Sequence, residues 1–131
     1  MTQSTRTGSL RYTKTVQKGI GIDIIEIQRV KTAVKQFKGK FLNKIFTKRE
    51  LDYCTKRKAL KYPELAARFA AKEAYSKAIG TGIRGIHWRE IEIINNSNGK
   101  PHVYVKSRLA KSALVSLSHS LKYATAVVMV N

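Results

Sequence analysis

Apolar residues follow a strand-like pattern near the start of the chain and a helical pattern directly after it. Isoleucine occupies every second position from Ile20 to Ile24, with Gly21 and Asp23 on the opposite side, which predicts a short strand over Lys18–Asp23. The spacing then changes to three and four residues, which predicts a first helix that ends at Gly39. The apolar stripe of that helix consists of Ile27, Val30, Val34 and Phe37.

Two further helices are predicted from the signals at their ends. Residues 46–58 form the second, because Thr47 suits its N-cap and Glu50 stands three residues later, as in a capping box. The third opens at Pro63 and stops at Gly80, since proline favours the first helical turn and glycine the position after the last. Small residues at four-residue spacing allow a neighbouring element to approach it closely: Ala66, Ala70, Ala74 and Ala78.

After Gly85 the alternating pattern returns, and the rest of the chain is predicted to be β structure. The predicted strands cover residues 88–94, 102–105, 113–117 and 123–130. The turn-rich segment 95–101 separates the first two, and Ser118–His119–Ser120 forms the bend before the last. The order is one N-terminal strand, three helices and then antiparallel strands, which indicates a single α+β domain.

Charge distinguishes this chain from an ordinary globular protein of its size. It has 131 residues, enough for one domain with a core, and its 26 Lys and Arg against 8 Asp and Glu give a net charge of +18. Such a surface attracts polyanions or acidic proteins. Residues 1–18 contain no acid and are interpreted as a basic arm that precedes a domain at residues 19–131.

The sequence carries no feature of an exported or membrane protein. Its single cysteine, Cys54, excludes an internal disulfide. No apolar run reaches transmembrane length, and no apolar signal-peptide core follows Met1. We therefore expect a cytoplasmic protein.

Two carboxylates are candidate metal ligands, and each has a structural alternative. Asp23 stands at the end of the predicted strand, but Asp23–Glu26 also matches a capping box, and the spacing alone favours a cap. Glu73 pairs with Lys77 on a solvated helix face in the commonest reading of such spacing. Its alanine-rich surroundings instead suggest burial, where a carboxylate needs a cationic side chain or a metal as partner.

Cations on the third helix are candidate phosphate ligands. Arg68, Lys72 and Lys77 flank Glu73 in sequence and are either surface charges or partners of phosphate oxygens. The chain contains no Walker pattern, which argues against a nucleotide-hydrolysing loop.

Two glycines, a histidine and a basic helix face complete the candidate residues. Gly80 and Gly82 let a ligand approach the backbone closely, or they only end the helix. His119 lies between two serines, and a lone histidine is more often structural than catalytic. The face of the first helix is either solvated or a docking surface for an acidic partner, and its cations are Arg29, Lys31, Lys35, Lys38 and Lys40.

Four separated segments carry a more specific signal than spacing alone. They are 19–27 (GIGIDIIEI), 68–78 (RFAAKEAYSKA), 88–93 with 98–101 (WREIEI and NGKP), and 116–120 with 123–124 (SLSHS and YA). In this order and spacing they closely resemble holo-acyl-carrier-protein synthase, the short bacterial type of 4′-phosphopantetheinyl transferase. The resemblance extends from about Gly19 to the C-terminus, and the second segment is the most specific.

This resemblance implies a reaction. The family transfers the 4′-phosphopantetheine arm of coenzyme A to a serine of apo acyl carrier protein and releases adenosine 3′,5′-bisphosphate, in support of fatty acid biosynthesis. It also implies a homotrimer with active sites at subunit interfaces. Mg²⁺ fits such chemistry, because it takes few protein carboxylates and keeps water and phosphate oxygens as its other ligands.

The resemblance also assigns roles to residues. Asp23 and Glu73 would hold Mg²⁺, and Lys77 would join them as a catalytic residue. Arg68, Lys72 and His119 would lie along the phosphates of coenzyme A, and Gly80 and Gly82 would border its nucleotide. The first helix would dock the carrier protein through Arg29, Lys31 and Lys35. The base that takes the serine proton stays open between Asp23, Glu73 and a metal-bound water.

Two other function classes compete with the transferase. A small basic nucleic-acid-binding domain is favoured by the charge and by several aromatic residues, and opposed by the scatter of the basic residues and the lack of a recognised motif. A carrier-binding protein without catalysis is opposed by the presence of Asp23, Glu73, Lys77 and His119.

Overall fold

The computed structural model describes residues 18–80 and 87–131, in which short helices and one long helix are followed by antiparallel strands. The helices are α1 (Ile27–Phe37), α2 (Gly39–Ile45), α3 (Lys48–Tyr53) and α4 (Tyr62–Ile79), with a 3₁₀ turn at Trp88–Glu90. The strands are β1 (Gly19–Glu26), β2 (Thr55–Lys56), β3 (Ala59–Leu60), β4 (Ile91–Asn95), β5 (Pro101–Val105), β6 (Arg108–Leu109), β7 (Ala113–His119) and β8 (Tyr123–Val130).

Two three-stranded antiparallel sheets accompany the helices, in the strand orders β1-β8-β7 and β4-β5-β6, and β2 with β3 forms a hairpin. The N-terminal strand pairs with the last strand, so that Gly19 lies opposite Val130 and Glu26 opposite Tyr123. The predicted α+β class and single-domain architecture are confirmed, because the first strand closes onto the C-terminal sheet instead of forming a separate unit.

Helix α4 packs directly against β1 through small residues on both elements. A Cβ added to Gly21 would lie 1.9 Å from the carbonyl oxygen of Ala74, and one added to Gly19 would lie 1.9 Å from that of Ala78. Only glycine permits this approach. The alanine stripe of α4 is fully or almost fully buried, as its four-residue spacing predicted, and so is Cys54. The helix ends at Gly80, whose φ of +82° is the left-handed conformation that glycine favours.

The predictions for the shorter helices are only partly correct. Helix α1 ends before Gly39 as predicted, but Gly39 starts α2, a helix that the sequence reading missed. The capping box of Thr47 and Glu50 is confirmed, whereas the helix it begins is short and ends at Tyr53. The predicted continuation to residue 58 is wrong, because Arg57 and Lys58 adopt positive φ values and turn the chain into the β2–β3 hairpin.

The predicted capping role of Asp23 is also wrong. Strand β1 continues to Glu26, three residues beyond the predicted end, and Glu26 occupies the N-cap of α1 without a side-chain hydrogen bond. Pairing with β8 along its whole length keeps this segment extended. Asp23 is therefore a strand residue whose carboxylate is not used by the helix.

One face of the sheet containing β1 is apolar and exposed. Ile20, Ile22 and Ile24 are 66%, 64% and 65% exposed, because the other face of β1 packs on α4. The register places Leu114, Met129 and Ile20 in one row across the three strands, and Leu114 and Met129 are also exposed. A continuous apolar surface of this kind marks an interaction site more often than a free surface.

The remaining strand predictions are confirmed with shifted bounds. Residues 88–90 form a 3₁₀ turn before β4, and β7 extends through His119 instead of ending at Leu117. The short strand β6 was not predicted. None of the helices in the described ranges is long and apolar enough to cross a membrane.

Candidate functional site

Asp23 and Glu73, 50 residues apart in sequence by their numbering, line one cavity of about 310 Å³. Strand β1 supplies Asp23 and helix α4 supplies Glu73, and the close packing of these two elements brings both side chains to the same place. Arg29, Phe41 and Phe69 line other parts of the cavity wall. The cavity therefore combines two carboxylates with an apolar wall and one cation at its edge.

The pKa of Glu73 is raised above its ordinary value. Burial is the main cause, and the negative charge of Asp23 acts in the same direction, while the ammonium group of Lys77 opposes both. A carboxylate whose ionisation is disfavoured by burial and by a neighbouring negative charge is a group that a divalent cation stabilises. Within residues 18–80 and 87–131 no cluster of three or more potential metal-ligating side chains occurs, and Asp23 and Glu73 are the carboxylates that line this cavity.

Lys77 connects the helix to the strand. Its Nζ lies 3.1 Å from Oδ1 of Asp23 and donates a hydrogen bond of 2.9 Å to the backbone carbonyl of Ile22. The pairing of Lys77 with Glu73 that sequence spacing suggested is thus replaced by an interaction with Asp23. About half of the Lys77 side chain is exposed, and its partner Asp23 lines the cavity.

Lys72 is buried and cannot serve as the phosphate ligand that the sequence suggested. Its side chain is 0% exposed, and its Nζ lies 2.6 Å from Oε1 of Glu50, which is also 0% exposed. The same ammonium group donates to the carbonyls of Ile45 and Trp88. Burial lowers the pKa of Lys72, while the adjacent Glu50 carboxylate acts in the opposite direction.

This ion pair joins several elements inside the protomer. Glu50 accepts further hydrogen bonds from the backbone amides of Thr47 and Ile93, so α2, α3, α4 and β4 meet at the Lys72–Glu50 pair. Lys72 directly precedes Glu73 in α4. The pair consequently fixes the part of the helix from which Glu73 projects.

Arg68 and His119 line a second cavity, of about 470 Å³, together with the turn Gly99–Pro101. His119 ends β7, and the first turns of α4 lie across from it. Arg68 is 1% exposed, and its guanidinium group lies 4.3 Å from the ring centre of Tyr53 and donates to the side-chain oxygen of Asn95. The structure therefore brings two of the predicted phosphate ligands to the same cavity.

Glu64, Asn95 and Lys100 also line this second cavity, and sequence reasoning did not identify them as site residues. The Gly99–Lys100–Pro101 sequence gave a usable signal, since it belongs to a segment that carries the family resemblance. Glu64 gave none, because an acid in the first turn of a helix is expected for reasons of the helix dipole alone.

The two glycines proposed to border a nucleotide are only partly described. Gly80 caps α4 and is exposed, and among the described residues no atom lies within 4 Å of a Cβ placed there. Gly82 lies outside the described residues, as does the basic arm except for Lys18.

The three predicted docking cations differ in their surroundings. Arg29 is exposed and borders the cavity of Asp23 and Glu73. Lys31 lies 5.7 Å from the ring centre of Tyr62, and Lys35 is exposed in the last turn of α1. Arg29 therefore belongs both to the surface of α1 and to the wall of the cavity that Asp23 and Glu73 line.

Comparison with curated proteins gives consistent relatives. The sequence is 48% identical over 114 residues to the holo-(acyl-carrier-protein) synthase of Protochlamydia amoebophila, with 82% of this chain and 93% of the relative covered. It is 51% identical over 114 residues to the enzyme of the same name from Chlamydia caviae, with 82% and 92% covered.

Solved structures agree with the sequence relatives. The Helicobacter pylori holo-(acyl-carrier-protein) synthase in complex with coenzyme A has a TM-score of 0.75 and 31% identity, covering 86% of this chain and 99% of that one. The Bacillus anthracis enzyme has a TM-score of 0.71 and 36% identity, covering 86% and 94%. The family model described as the 4′-phosphopantetheinyl transferase superfamily matches residues 19–128, and the chain belongs to that superfamily.

Proposed function

We infer that this chain is a holo-acyl-carrier-protein synthase. It transfers the 4′-phosphopantetheine group of coenzyme A to a serine of apo acyl carrier protein and thereby supports fatty acid biosynthesis. The observation that supports this most directly is the convergence of Asp23, Glu73 and Lys77 beside one cavity, in a chain with close relatives of that activity along most of its length.

We propose Mg²⁺ as the ion held by Asp23 and Glu73. Their number and type fit, because Mg²⁺ is bound by one or two carboxylates together with water and substrate phosphates. The raised pKa of Glu73, caused by burial and by the Asp23 charge, supports the proposal, because a bound cation would offset both effects. When bound, the ion would supply charge neutralisation at the pyrophosphate of coenzyme A.

The chain's own residues then orient the reactants. The serine oxygen of the carrier forms a bond to the phosphorus that carries the pantetheine group, and the bond from that phosphorus to the oxygen of the adenosine bisphosphate breaks. Lys77 holds Asp23 in place and offers its ammonium group to charge that develops on the phosphate oxygens. Asp23 and Glu73 are the side chains here that would take the serine proton, a Mg²⁺ held by them would supply an activated water as a third acceptor, and the residues present leave these routes open.

The nucleotide part of coenzyme A is proposed to occupy the cavity of Arg68 and His119. Arginine suits phosphate because its planar guanidinium group forms two parallel hydrogen bonds, and a histidine supplies a further donor. Lys100 and the backbone of Gly99 at the edge of the cavity add charge and close approach. Gly80 and Gly82 remain proposed neighbours of the nucleotide. Lys72 is omitted from this set because, unlike Arg68, it does not line the cavity, and its ammonium group is paired with the buried Glu50.

A homotrimer with sites at its interfaces is proposed for the active protein. The apolar face of the β1-β8-β7 sheet is exposed in the single protomer. Its edge strand β1 also carries Asp23. Since residues alternate along a strand, Ile22 and Ile24 face the proposed partner while Asp23 faces α4. Strand β1 therefore contributes both to the proposed interface and to the cavity of Asp23 and Glu73, whose lining also includes Ile24.

We further propose that α1 binds the acyl carrier protein through Arg29, Lys31 and Lys35. Carrier proteins of this class are acidic, so a surface of a +18 chain would attract them and accelerate encounter. Because Arg29 also borders the cavity of Asp23 and Glu73, docking on α1 would bring the acceptor serine to the carboxylates.

We place the reaction in the cytoplasm, where the unpaired Cys54 stays reduced.

The nucleic-acid-binding alternative is weaker in light of the aromatic side chains. Tyr53 carries Arg68 and Lys61 over its ring, Tyr62 carries Lys31, and Tyr104 carries Arg49. Rings already stacked with the protein's own cations offer less surface for nucleic-acid bases.

The deciding experiment is mass spectrometry of apo acyl carrier protein incubated with this protein, coenzyme A and Mg²⁺. We expect the carrier to gain one phosphopantetheine group and the gain to disappear with EDTA. An unchanged carrier mass, together with salt-sensitive binding of RNA or DNA, would reject the transferase and favour the alternative.

A further inference from the structure

Glu64 links Arg68 to His119, the two proposed phosphate ligands of the nucleotide cavity. Its Oε1 lies 3.3 Å from Nε2 of His119, and its Oε2 lies 3.6 Å from Nη1 of Arg68. The carboxylate thus stands between a residue at the end of β7 and a residue two turns into α4. An acid at the centre of a phosphate site needs a physical explanation, because it repels the ligand that the site is proposed to bind.

The bonding around Arg68 shows that its guanidinium group is held but not saturated. Nη1 donates to the backbone carbonyl of Glu64, and Nη2 donates to Asn95, whose own amide donates to the carbonyl of Gly99. Its Nε is the one buried side-chain nitrogen or oxygen, among the described residues, that lacks a hydrogen-bond partner. One donor of the group is therefore enclosed in the protomer without a hydrogen-bond partner.

We propose that Glu64 is an internal counter-anion of this cavity, a carboxylate that a bound phosphate must displace from Arg68 and His119. The inference rests on the proposed function, since it takes the ligand to be the phosphate-bearing nucleotide of coenzyme A. Without ligand, Glu64 is the anionic partner of the buried Arg68 guanidinium group and also contacts His119. With ligand, its charge weakens the hold on adenosine 3′,5′-bisphosphate and so favours release of that product.

Substitution of Glu64 by glutamine separates this role from a structural one. Glu64→Gln keeps the shape of the side chain and removes only its charge, and we expect the Kd for adenosine 3′,5′-bisphosphate to fall by about fivefold, the factor that corresponds to a partly exposed charge pair. The KM for coenzyme A should fall with it, while the KM for carrier protein stays unchanged. Isothermal titration calorimetry and initial-rate kinetics give these values.

Asp52→Asn is the matched control. Asp52 is an exposed acid on α3 that pairs with Lys48, so its substitution changes the net charge of the chain equally without touching the cavity. The Kd for the bisphosphate should be the same as for the wild type. Glu64→Ala serves as a second variant with the same charge change, and circular dichroism before titration verifies that each variant is folded.

The possible results distinguish this inference from the proposed function. A wild-type protein that transfers phosphopantetheine, together with Glu64 variants whose Kd for the bisphosphate is unchanged or raised, would overturn the counter-anion role alone. A wild-type protein that neither transfers the group nor binds the bisphosphate would overturn both the transferase function and the counter-anion role, because the cavity of Glu64 would then not be a nucleotide site.

Discussion

The ammonium group of Lys77 lies 3.1 Å from a carboxylate oxygen of Asp23, across the contact between α4 and β1. The glycines of β1 allow this contact, because any larger residue at Gly21 would overlap the backbone of α4. The same packing places Glu73 beside the cavity of Asp23. A lysine, two carboxylates and a cavity are therefore arranged by backbone proximity more than by side-chain reach.

Replacing Lys77 by methionine should suppress catalysis while preserving the fold. The substitution removes a charge that both orients Asp23 and faces the phosphates in the proposed reaction, and loss of one such group typically lowers kcat by about 10²-fold to 10³-fold. Half of the side chain is exposed, so we expect little change in thermal stability. Steady-state transfer to apo carrier protein and a thermal melt measure the two effects.

Lys48→Met is the matched control for Lys77→Met. Lys48 forms an exposed pair with Asp52 at 3.2 Å, so its loss removes the same charge from a comparable pair on α3. Its kcat should remain that of the wild type. Equal kcat values in the Lys77 and Lys48 variants would contradict a catalytic role for Lys77.

Glu73→Gln should abolish Mg²⁺-dependent transfer and slightly stabilise the metal-free protein. A carboxyl group whose pKa is raised on folding binds its proton more tightly in the folded protein than in the unfolded chain. The free energy of unfolding therefore decreases as the pH rises from the ordinary value of 4.5 through the raised one, and the neutral-pH protein carries this cost. Glutamine removes it, and we expect a rise in Tm below about 4 °C at pH 7.

Two further measurements test the explanation for Glu73. Well below pH 4.5 the carboxyl is protonated in both states, so the Tm difference between wild type and variant should disappear there. At pH 7, added Mg²⁺ should raise the Tm of the wild type and leave that of Glu73→Gln unchanged. A variant that keeps the Mg²⁺-induced shift, or wild-type transfer rates, would show that Glu73 does not hold the ion.

Lys72→Met tests the buried ion pair instead of phosphate binding. The substitution leaves Glu50 as an enclosed charge without its cation, which typically costs about 3–5 kcal/mol in the free energy of unfolding. The double variant Lys72→Met with Glu50→Gln removes both charges and should recover part of that loss. Urea denaturation measures all three proteins, and a double variant no more stable than the single one would show that the pair is not the source of the loss.

Much of the fold follows from local sequence signals, and the exceptions have physical causes. The long helix α4 was predictable because proline, alanine spacing and Gly80 all agree on its limits. The end of α3 was not predictable, because Arg57 and Lys58 adopt positive φ values for which the sequence gives no signal. The true length of β1 depends on pairing with β8, a partner about a hundred residues away that no local pattern contains.

The residues of the candidate site could be predicted from sequence, whereas their contacts with distant segments could not. The sequence identifies Asp23 and Glu73 as candidate metal ligands. Their shared cavity results from the approach of β1 to α4, which the spacing within each segment does not show. Lys72 was wrongly grouped with exposed cations, because its enclosing partners Glu50, Ile45 and Trp88 come from three other places in the chain. Adjacent residues of one helix, Lys72 and Glu73, thus have opposite environments.

Ile20→Glu should disrupt the proposed assembly and, through it, the activity. Ile20 lies in the exposed apolar row with Met129 and Leu114, so a charge there would be buried without a partner in any complex that covers this face. We expect light scattering after size exclusion to change from the mass of a trimer to that of a monomer. Transfer should decrease by at least about tenfold, since sites completed by a second copy lose their geometry.

Leu109→Glu is the matched control for this apolar-to-acid substitution. Leu109, like Ile20, is a large exposed aliphatic residue, but it belongs to β6 in the other three-stranded sheet. Its variant should remain trimeric and active at the wild-type rate. Dissociation caused by Leu109→Glu but not by Ile20→Glu would move the interface to the β4-β5-β6 sheet, and a fully active Ile20→Glu monomer would show that one protomer contains the whole site.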